Sequence, residues 1–240
     1  MAEPARAVFF DLDGTLVRDG AADAAAQAIR ALADRHPRID ADRLRSANGE
    51  VWESCWREKG ERWARGELPD DAVARGVWRL TLERVEAPAA VTRGLLEEAV
   101  SLHLAAERRT FTLFDETRGV LDELRRRGIR LGLITNGPSE SQREKLRRVG
   151  IDGLFDLVIA SGDVGVLKPD AAIFALAVRE LGVPASASLH AGDNFDADVV
   201  GAHRAGLTAV WIARDGARPP QAEVPHHTGD SLEVVLGLVA

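Results

Sequence analysis

Asp11 and Asp13, two residues apart, follow the apolar run Ala7-Val8-Phe9-Phe10 and lead into Gly14. Such a run suits a buried strand, and Gly14 permits a tight backbone bend just beyond it. Two carboxylates delivered to the end of a buried strand are costly unless a cation neutralises them, so the pattern points to a divalent metal. By itself Asp-x-Asp-Gly is also compatible with a solvated acidic turn. Three later stretches carry groups of matching chemistry: Thr135-Asn136-Gly137, Lys168-Pro169, and Gly192-Asp193-Asn194-Phe195-Asp196-Ala197-Asp198. Thr-Asn-Gly is also a common turn. Lys168 stands out because the chain has only three lysines, the others being Lys59 and Lys145.

The elements that must position these groups follow from hydrophobic periodicity and from glycines. After Leu16 the pattern is helical for about ninety residues, with helices expected over Ala21–Leu32, Arg43–Lys59, Pro69–Val85 and Val91–Leu104. Breaks are expected near His36-Pro37, Gly60–Gly66 and Ala87-Pro88. Trp52, Trp56, Trp63 and Trp78 lie in this segment, where core packing is the expected role and contact with a substrate the alternative. From Phe111 onward strands and helices alternate. The strands are Arg130–Thr135, Leu157–Ala160, Ser188–Ala191 and Thr208–Ile212, and the helices are Thr117–Arg127, Glu140–Val149, Ala171–Leu181 and Asp196–Ala205. Glycine just past each helix fits a left-handed cap. This alternation implies an α/β fold with a doubly wound parallel sheet. In such sheets ligands bind beyond the carboxyl ends of the strands, where Asp11, Thr135, Ser161-Gly162-Asp163 and Asp193 all fall. The tail reads as a loop at Arg218-Pro219-Pro220, a surface loop at His226-His227 and a short closing helix over Leu232–Leu238.

The Asp11-Leu12-Asp13-Gly14-Thr15 element and the three later stretches, in order, resemble the haloacid dehalogenase-like hydrolase superfamily, specifically its phosphatases with a helical cap. The resemblance covers essentially the whole chain. It implies a Rossmann-like catalytic core of residues 1–16 and 111–240 with an inserted helical cap of residues 17–110, entered near Leu16–Asp19 and left near Thr110–Asp115. It implies that Asp11 attacks phosphorus and forms an aspartyl-phosphate, while Asp13 protonates the leaving oxygen and then activates water. Thr135 would grip a phosphate oxygen with help from the backbone around Asn136, and Lys168 would stabilise charge in the transition state. Mg²⁺ would be held by Asp11, Asp193 and the backbone carbonyl of Asp13, with Asp198 behind them tying down the loop or Lys168. Hard oxygen ligands favour Mg²⁺ over softer metals. His190 is expected to be a buried, hydrogen-bonded histidine and Asp196 a helix N-terminal residue.

The expected activity is therefore a Mg²⁺-dependent phosphomonoesterase for a small phosphorylated metabolite, a nucleotide or sugar phosphate. An intramolecular phosphomutase on hexose phosphates, or a non-catalytic phosphate-binding protein, would share the same core residues. Dehalogenation is disfavoured by Asp13, because carbon–halogen cleavage releases no alkoxide needing an acid. A net charge of -7 across 240 residues shows no basic footprint for nucleic acid or an anionic membrane. A single cysteine, Cys55, fits a reducing compartment, and no run approaches the ~20 apolar residues of a membrane span. The expectation is a cytoplasmic monomer or homodimer.

Overall fold

The computed structural model describes residues 5–18, 20–86, 91–214, 224 and 226–239. The expected break at Ala87-Pro88, the loop at Arg218-Pro219-Pro220, and Asp19 at the expected cap entry lie outside the described residues. The chain divides into two compact units, one of Met1–Arg18 with Thr112–Ala240 and one of Asp19–Phe111.

Strand β1 (Ala7–Phe10) opens the first unit, and the chain then passes into the second, built of helices α1 (Ala21–Arg35), α2 (Ala41–Ala64), α3 (Ala72–Val85) and α4 (Arg93–Thr110). Within it α1 packs on α4 and α2 on α3. Ile29, Leu32, Leu44, Trp78, Leu82 and Ala99 form one buried core, and Val51, Cys55, Val73 and Val77 a second. All four helices depart from their expected spans, α1 ending at Arg35 rather than Leu32. Helix α2 runs through Gly60 to Ala64; Gly60 is buried, and a Cβ there would stand 3.0 Å from the Trp56 indole. Helix α4 extends to Thr110 rather than Leu104, and α3 begins at Ala72 rather than Pro69. Trp78 is fully buried, as core packing requires, whereas Trp56 is 47% exposed.

Returning to the first unit, the chain alternates α5 (Thr117–Arg126), β2 (Arg130–Thr135), α6 (Ser139–Arg148), β3 (Leu157–Ala160), a short α7 (Ser161–Val164), α8 (Ala171–Leu181) and β4 (Ser188–Gly192). A π-helical turn over Phe195–Val200 continues into α9 (Gly201–Arg204), and β5 (Thr208–Ile212), β6 (His227–Gly229) and a 3₁₀ turn over Leu232–Gly237 complete it. The strands form one sheet of order β3-β2-β1-β4-β5-β6 with every pairing parallel. This is the doubly wound arrangement. Its order reverses at β1, so the crevice beyond the ends of β1 and β4 is the expected ligand position. All four residues of β1 are fully buried, consistent with a central strand covered on both faces.

Three expectations need correction. His227 is not on a surface loop but begins β6, and His226 packs edge-on against Phe195 with ring centroids 5.2 Å apart. The segment expected as one helix over Asp196–Ala205 is a wide π turn followed by a single α turn. Asn194 accepts the Ala197 N–H while Asp198 turns back to the Asn194 N–H, which opens the first turn. The closing helix is a 3₁₀ turn.

The ends of the helical segment meet inside the first unit. Val17 bridges to Leu113, and the Arg18 N–H donates to the Thr112 carbonyl at 2.9 Å. No helix among the described residues is long and apolar enough to cross a membrane.

Close packing around β1 makes one position testable. A Cβ on Gly132 of β2 would lie 2.2 Å from the Phe9 ring, which is fully buried. Gly132→Ala is therefore expected to destabilise the protein by about 1–3 kcal/mol, read as a lower urea midpoint at unchanged slope.

Candidate active site

Strand β1 ends with its carboxyl edge open, and the backbone continues into the Asp11–Thr15 loop with the Asp11 N–H still held by the Ala191 carbonyl of β4 at 2.9 Å. Gly14 takes φ +82°, a conformation costly for residues bearing a Cβ, and a Cβ there would stand 2.4 Å from the Asp193 carboxylate. The glycine thus brings two sequence-distant acidic loops together. Thr15 links them further: its hydroxyl donates to Asp193 Oδ1 and accepts the Asp193 N–H, both at 3.0 Å.

Lys168 is the centre of the site. Its ammonium donates to Asp11 Oδ1 and to Asp198 Oδ1, each at 2.6 Å, with all three side chains almost fully buried. Asn136 holds the lysine's own backbone from both sides, donating through Nδ2 to the Lys168 carbonyl (3.0 Å) and accepting the Lys168 N–H on Oδ1 (2.9 Å). Behind Asp198, His190 Nε2 lies 2.9 Å from Oδ1, and the Asn194 N–H donates to Oδ2. Gly192 must lack a side chain, since a Cβ would meet the Asp198 carboxyl carbon at 2.2 Å.

The electrostatics follow from burial and from sharing. Burial pushes the Asp11 carboxyl up to about 8, against the pull of Lys168, while Asp198 and Asp193 push it higher. Burial also raises Asp193, with Asp198 adding to the effect. Asp198 behaves oppositely. Burial would raise it, but Lys168 and His190 outweigh burial and hold it far below the usual carboxylate range. Lys168 stays above its ordinary value despite burial because Asp11 and Asp198 both favour its charge. Burial lowers His190, so the ring is neutral and donates its Nε2 proton to the ionised Asp198. Its Nδ1 has no hydrogen-bond partner among the described residues, and the ring sits edge-on to Phe174.

One ligand atom each from Asp11, Asp193 and Asp198 lies within 4.8 Å of the others. Three carboxylates thus lie beside one ammonium, which pairs with Asp11 and Asp198, and the oxygens are hard ligands, so the site fits a divalent cation. Asp198 already spends both oxygens on Lys168, His190 and the Asn194 N–H, whereas Asp11 and Asp193 each engage one oxygen, the first with Lys168 and the second with Thr15.

Asp13 and Thr135 form a second cluster on the same loop edge. Lys145 Nζ donates to both Asp13 oxygens at 2.8 and 2.9 Å, and Gln142 Nε2 donates to Asp13 Oδ2 (2.9 Å) and Thr135 Oγ1 (2.6 Å). Burial works to raise the Asp13 carboxyl, but Lys145 and Gln142 hold it below the usual value. Arg214 braces the loop from behind. It donates to the Thr15 carbonyl at 2.7 Å, to the Gly14 carbonyl at 3.4 Å and to Glu116 at 2.7 Å, with its guanidinium 3.4 Å from the centroid of the Phe114 ring.

The structure therefore gathers Asp11, Lys168, Asp193 and Asp198 around one point, and Asp13 with Thr135 around Gln142. The Asn136 side chain is committed to Lys168, so only its backbone remains to meet an anion. Thr15, Gln142, Lys145 and Arg214 were not anticipated as site residues. For Lys145 and Gln142 a signal existed, since residues three apart on a helix share a face and α6 directly follows Thr135. Nothing in the sequence around Arg214 singles it out.

Two outcomes follow. Lys168→Met leaves two buried carboxylates without their common partner, so unfolding in chelator at neutral pH should show a loss of about 3–5 kcal/mol. Hydrogen bonds from backbone N–H groups and Arg214 overcome the effect of burial and hold Glu116 below its ordinary 4.5. Its ionised form thus favours the folded state, a contribution present above pH 4.5 and lost as pH falls below it. Glu116→Gln should flatten the fall in urea midpoint over that acid range.

The chain matches the model of the haloacid dehalogenase-like hydrolases over residues 5–206. It is 45% identical over 132 residues to phosphoserine phosphatase of Thermus thermophilus, a match spanning about half of each chain, 54% of this one and 53% of that one. N-acylneuraminate-9-phosphatase of Homo sapiens is 30% identical over 233 residues, covering 95% of this chain and 90% of that protein. Among solved structures, a 2-haloacid dehalogenase from Pseudomonas syringae superposes with a TM-score of 0.70 at 27% identity, over 98% of this chain and 97% of that one. Together with the gathered carboxylates and lysine at the ends of β1 and β4, the family match assigns the chain: it belongs to the haloacid dehalogenase-like hydrolases.

Proposed function

We propose that this protein is a Mg²⁺-dependent phosphomonoesterase acting on a small phosphorylated metabolite through an aspartyl-phosphate on Asp11. The observation that carries the reading is that one loop presents two carboxylates in different settings. Asp11 is ion-paired with buried Lys168, and Asp13 is held by Lys145 and Gln142. A nucleophile and a separate acid-base group are what ester hydrolysis at phosphorus requires. Displacement at a carbon–halogen bond needs no acid at Asp13, so the likeness to a dehalogenase supports the fold and not that chemistry. The two phosphatase relatives support a phosphate ester as substrate, and their names support a small metabolite.

In this mechanism an Asp11 carboxylate oxygen attacks phosphorus and the ester P–O bond breaks. Asp13, which Lys145 and Gln142 hold ionised in the free protein, first takes up a proton from the substrate monoester or from water and passes it to the departing alkoxide. Asp13, now ionised, takes a proton from water as that water attacks the phosphorus of the aspartyl-phosphate, releasing inorganic phosphate and restoring Asp11. Lys168 stays beside Asp11 throughout and offsets charge on the transferring phosphoryl group. The Thr135 hydroxyl accepts from Gln142, which leaves its own proton to donate to a phosphate oxygen, alongside the backbone of Asn136. Asp11, Asp193 and the Asp13 carbonyl would hold Mg²⁺, which when bound neutralises the carboxylates and the substrate's charge. Asp198 fits a supporting role, fixing Lys168 and the Asp193 loop.

Phosphate release from nucleoside monophosphates, sugar phosphates, phosphoserine and short alkyl phosphates, with Mg²⁺ or with EDTA, tests this reading. Metal-dependent release concentrated on one class is expected. Asp11→Asn should lower turnover at least about 1,000-fold while unfolding remains cooperative. Substantial turnover by that variant, or no release from any substrate, refutes the assignment.

A further inference from the structure

We propose that Gln142 is a positioning residue for phosphate binding: its amide, whose orientation Asp13 dictates, sets the Thr135 hydroxyl to accept from the protein and to donate to the substrate's phosphate. The inference rests on the phosphatase reading above and deepens it. Gln142 is 1% exposed on α6, and its Nε2 lies among three oxygens: Asp13 Oδ2 at 2.9 Å, Thr135 Oγ1 at 2.6 Å and the Asn136 carbonyl at 3.5 Å. Two of the three can only accept. One is a backbone carbonyl, and the other belongs to a carboxylate paired with an ammonium, Lys145 Nζ lying 2.8 and 2.9 Å from the two Asp13 oxygens. The third is a hydroxyl, which can donate or accept. Turning the amide over would set its oxygen against the Asp13 carboxylate, so the amino end stays inward and the Thr135 hydroxyl is left to accept. The far end of the amide shows how firmly this is imposed: Oε1 is buried with no hydrogen-bond partner among the described residues. A reversed amide would satisfy that oxygen from the Thr135 hydroxyl, and would consume the proton that the hydroxyl otherwise has for phosphate. Room for the amide is built into the neighbouring loop, since a Cβ on Gly137 would stand 2.9 Å from the Gln142 carboxamide carbon. A hydroxyl with one lone pair engaged and its proton free is a fixed donor, so an incoming phosphate does not bear the cost of orienting it.

Affinity for inorganic phosphate, read by isothermal titration with Mg²⁺ present, tests this role without turnover. Thr135→Val removes the hydroxyl and is expected to weaken phosphate binding at least about tenfold. Gln142→Met keeps the bulk, removes the amide and frees the hydroxyl to turn, and is expected to weaken binding at least about fivefold. A general packing role for Gln142 would lower affinity whether or not residue 135 carries a hydroxyl. Acting through Thr135 gives a different pattern. In the Thr135→Val background, Gln142→Met should change affinity by less than about twofold, whereas in Thr135→Ser, which keeps the hydroxyl, the larger loss should return. Losses that multiply in the Thr135→Val, Gln142→Met double variant, or wild-type affinity in Gln142→Met, overturn the proposal. If Gln142→Met does not unfold cooperatively in urea, Gln142→Asn, one methylene too short to reach both Asp13 and Thr135, decides by the same cycle. Wild-type protein that binds phosphate while the variants show multiplying losses fails this inference alone. Wild-type protein that binds no phosphate fails it together with the phosphatase reading.

Discussion

A buried ammonium shared by two carboxylates is the interaction on which the rest of this protein's active region depends. Lys168 joins Asp11 on the β1 loop to Asp198 beyond β4, two positions 187 residues apart in sequence numbering at their extremes but fixed side by side. Burying three charges is expensive, and each is tolerated only because the others are present. The surroundings show what that demands. Asn136 grips the lysine's backbone on both sides, His190 and the Asn194 N–H complete Asp198, and Gly192 clears the space the Asp198 carboxyl occupies. Three carboxylates against one ammonium leave two negative charges uncompensated, and that surplus is the physical reason the site fits a cation.

The parallel sheet makes such convergence possible. Neighbouring strands β2, β1 and β4 run the same way, so the residues that follow each of them emerge on one edge. Helices and turns then aim the side chains. Glycine at position 14 lets the first loop close against Asp193, and the Arg214 guanidinium, lying over Phe114, holds two carbonyls of that loop.

Much of this was legible in the sequence, and the boundary is instructive. Strand spans from Arg130 to Ile212 and the parallel architecture followed from hydrophobic runs punctuated by glycine, because those signals are local. The rule that parallel strands present their ends together grouped Asp11, Thr135 and Asp193, while the association of Asp198 with Lys168 was implied by the resemblance to the hydrolase family. Four kinds of feature escaped. The π turn at Phe195 depends on how Asp198 is pulled toward Lys168, a tertiary force no helical periodicity reports. Strand β6 is three residues long and includes His227, too short for an alternation to register. Helix α2 passes through Gly60, which is buried with the Trp56 ring close beside it, so the low helix propensity of a single glycine did not end the helix. Lys145, Gln142 and Arg214 were invisible for another reason: long polar side chains look like solvated surface until the fold shows what they reach.

The pairing of Val17 with Leu113 and of Arg18 with Thr112 has a topological meaning for the chain as a whole. The helical segment leaves and re-enters the sheet unit through two strands of backbone already hydrogen-bonded to each other. From the standpoint of that unit, everything between is a single long loop whose ends are tied. The entropy of closing a loop grows only with the logarithm of its length, so a tied exit of this kind tolerates a few residues or an entire helical domain at nearly the same cost. The fold thus separates the geometry of its chemistry from the size of what it carries, as a stem carries whatever is grafted above its node.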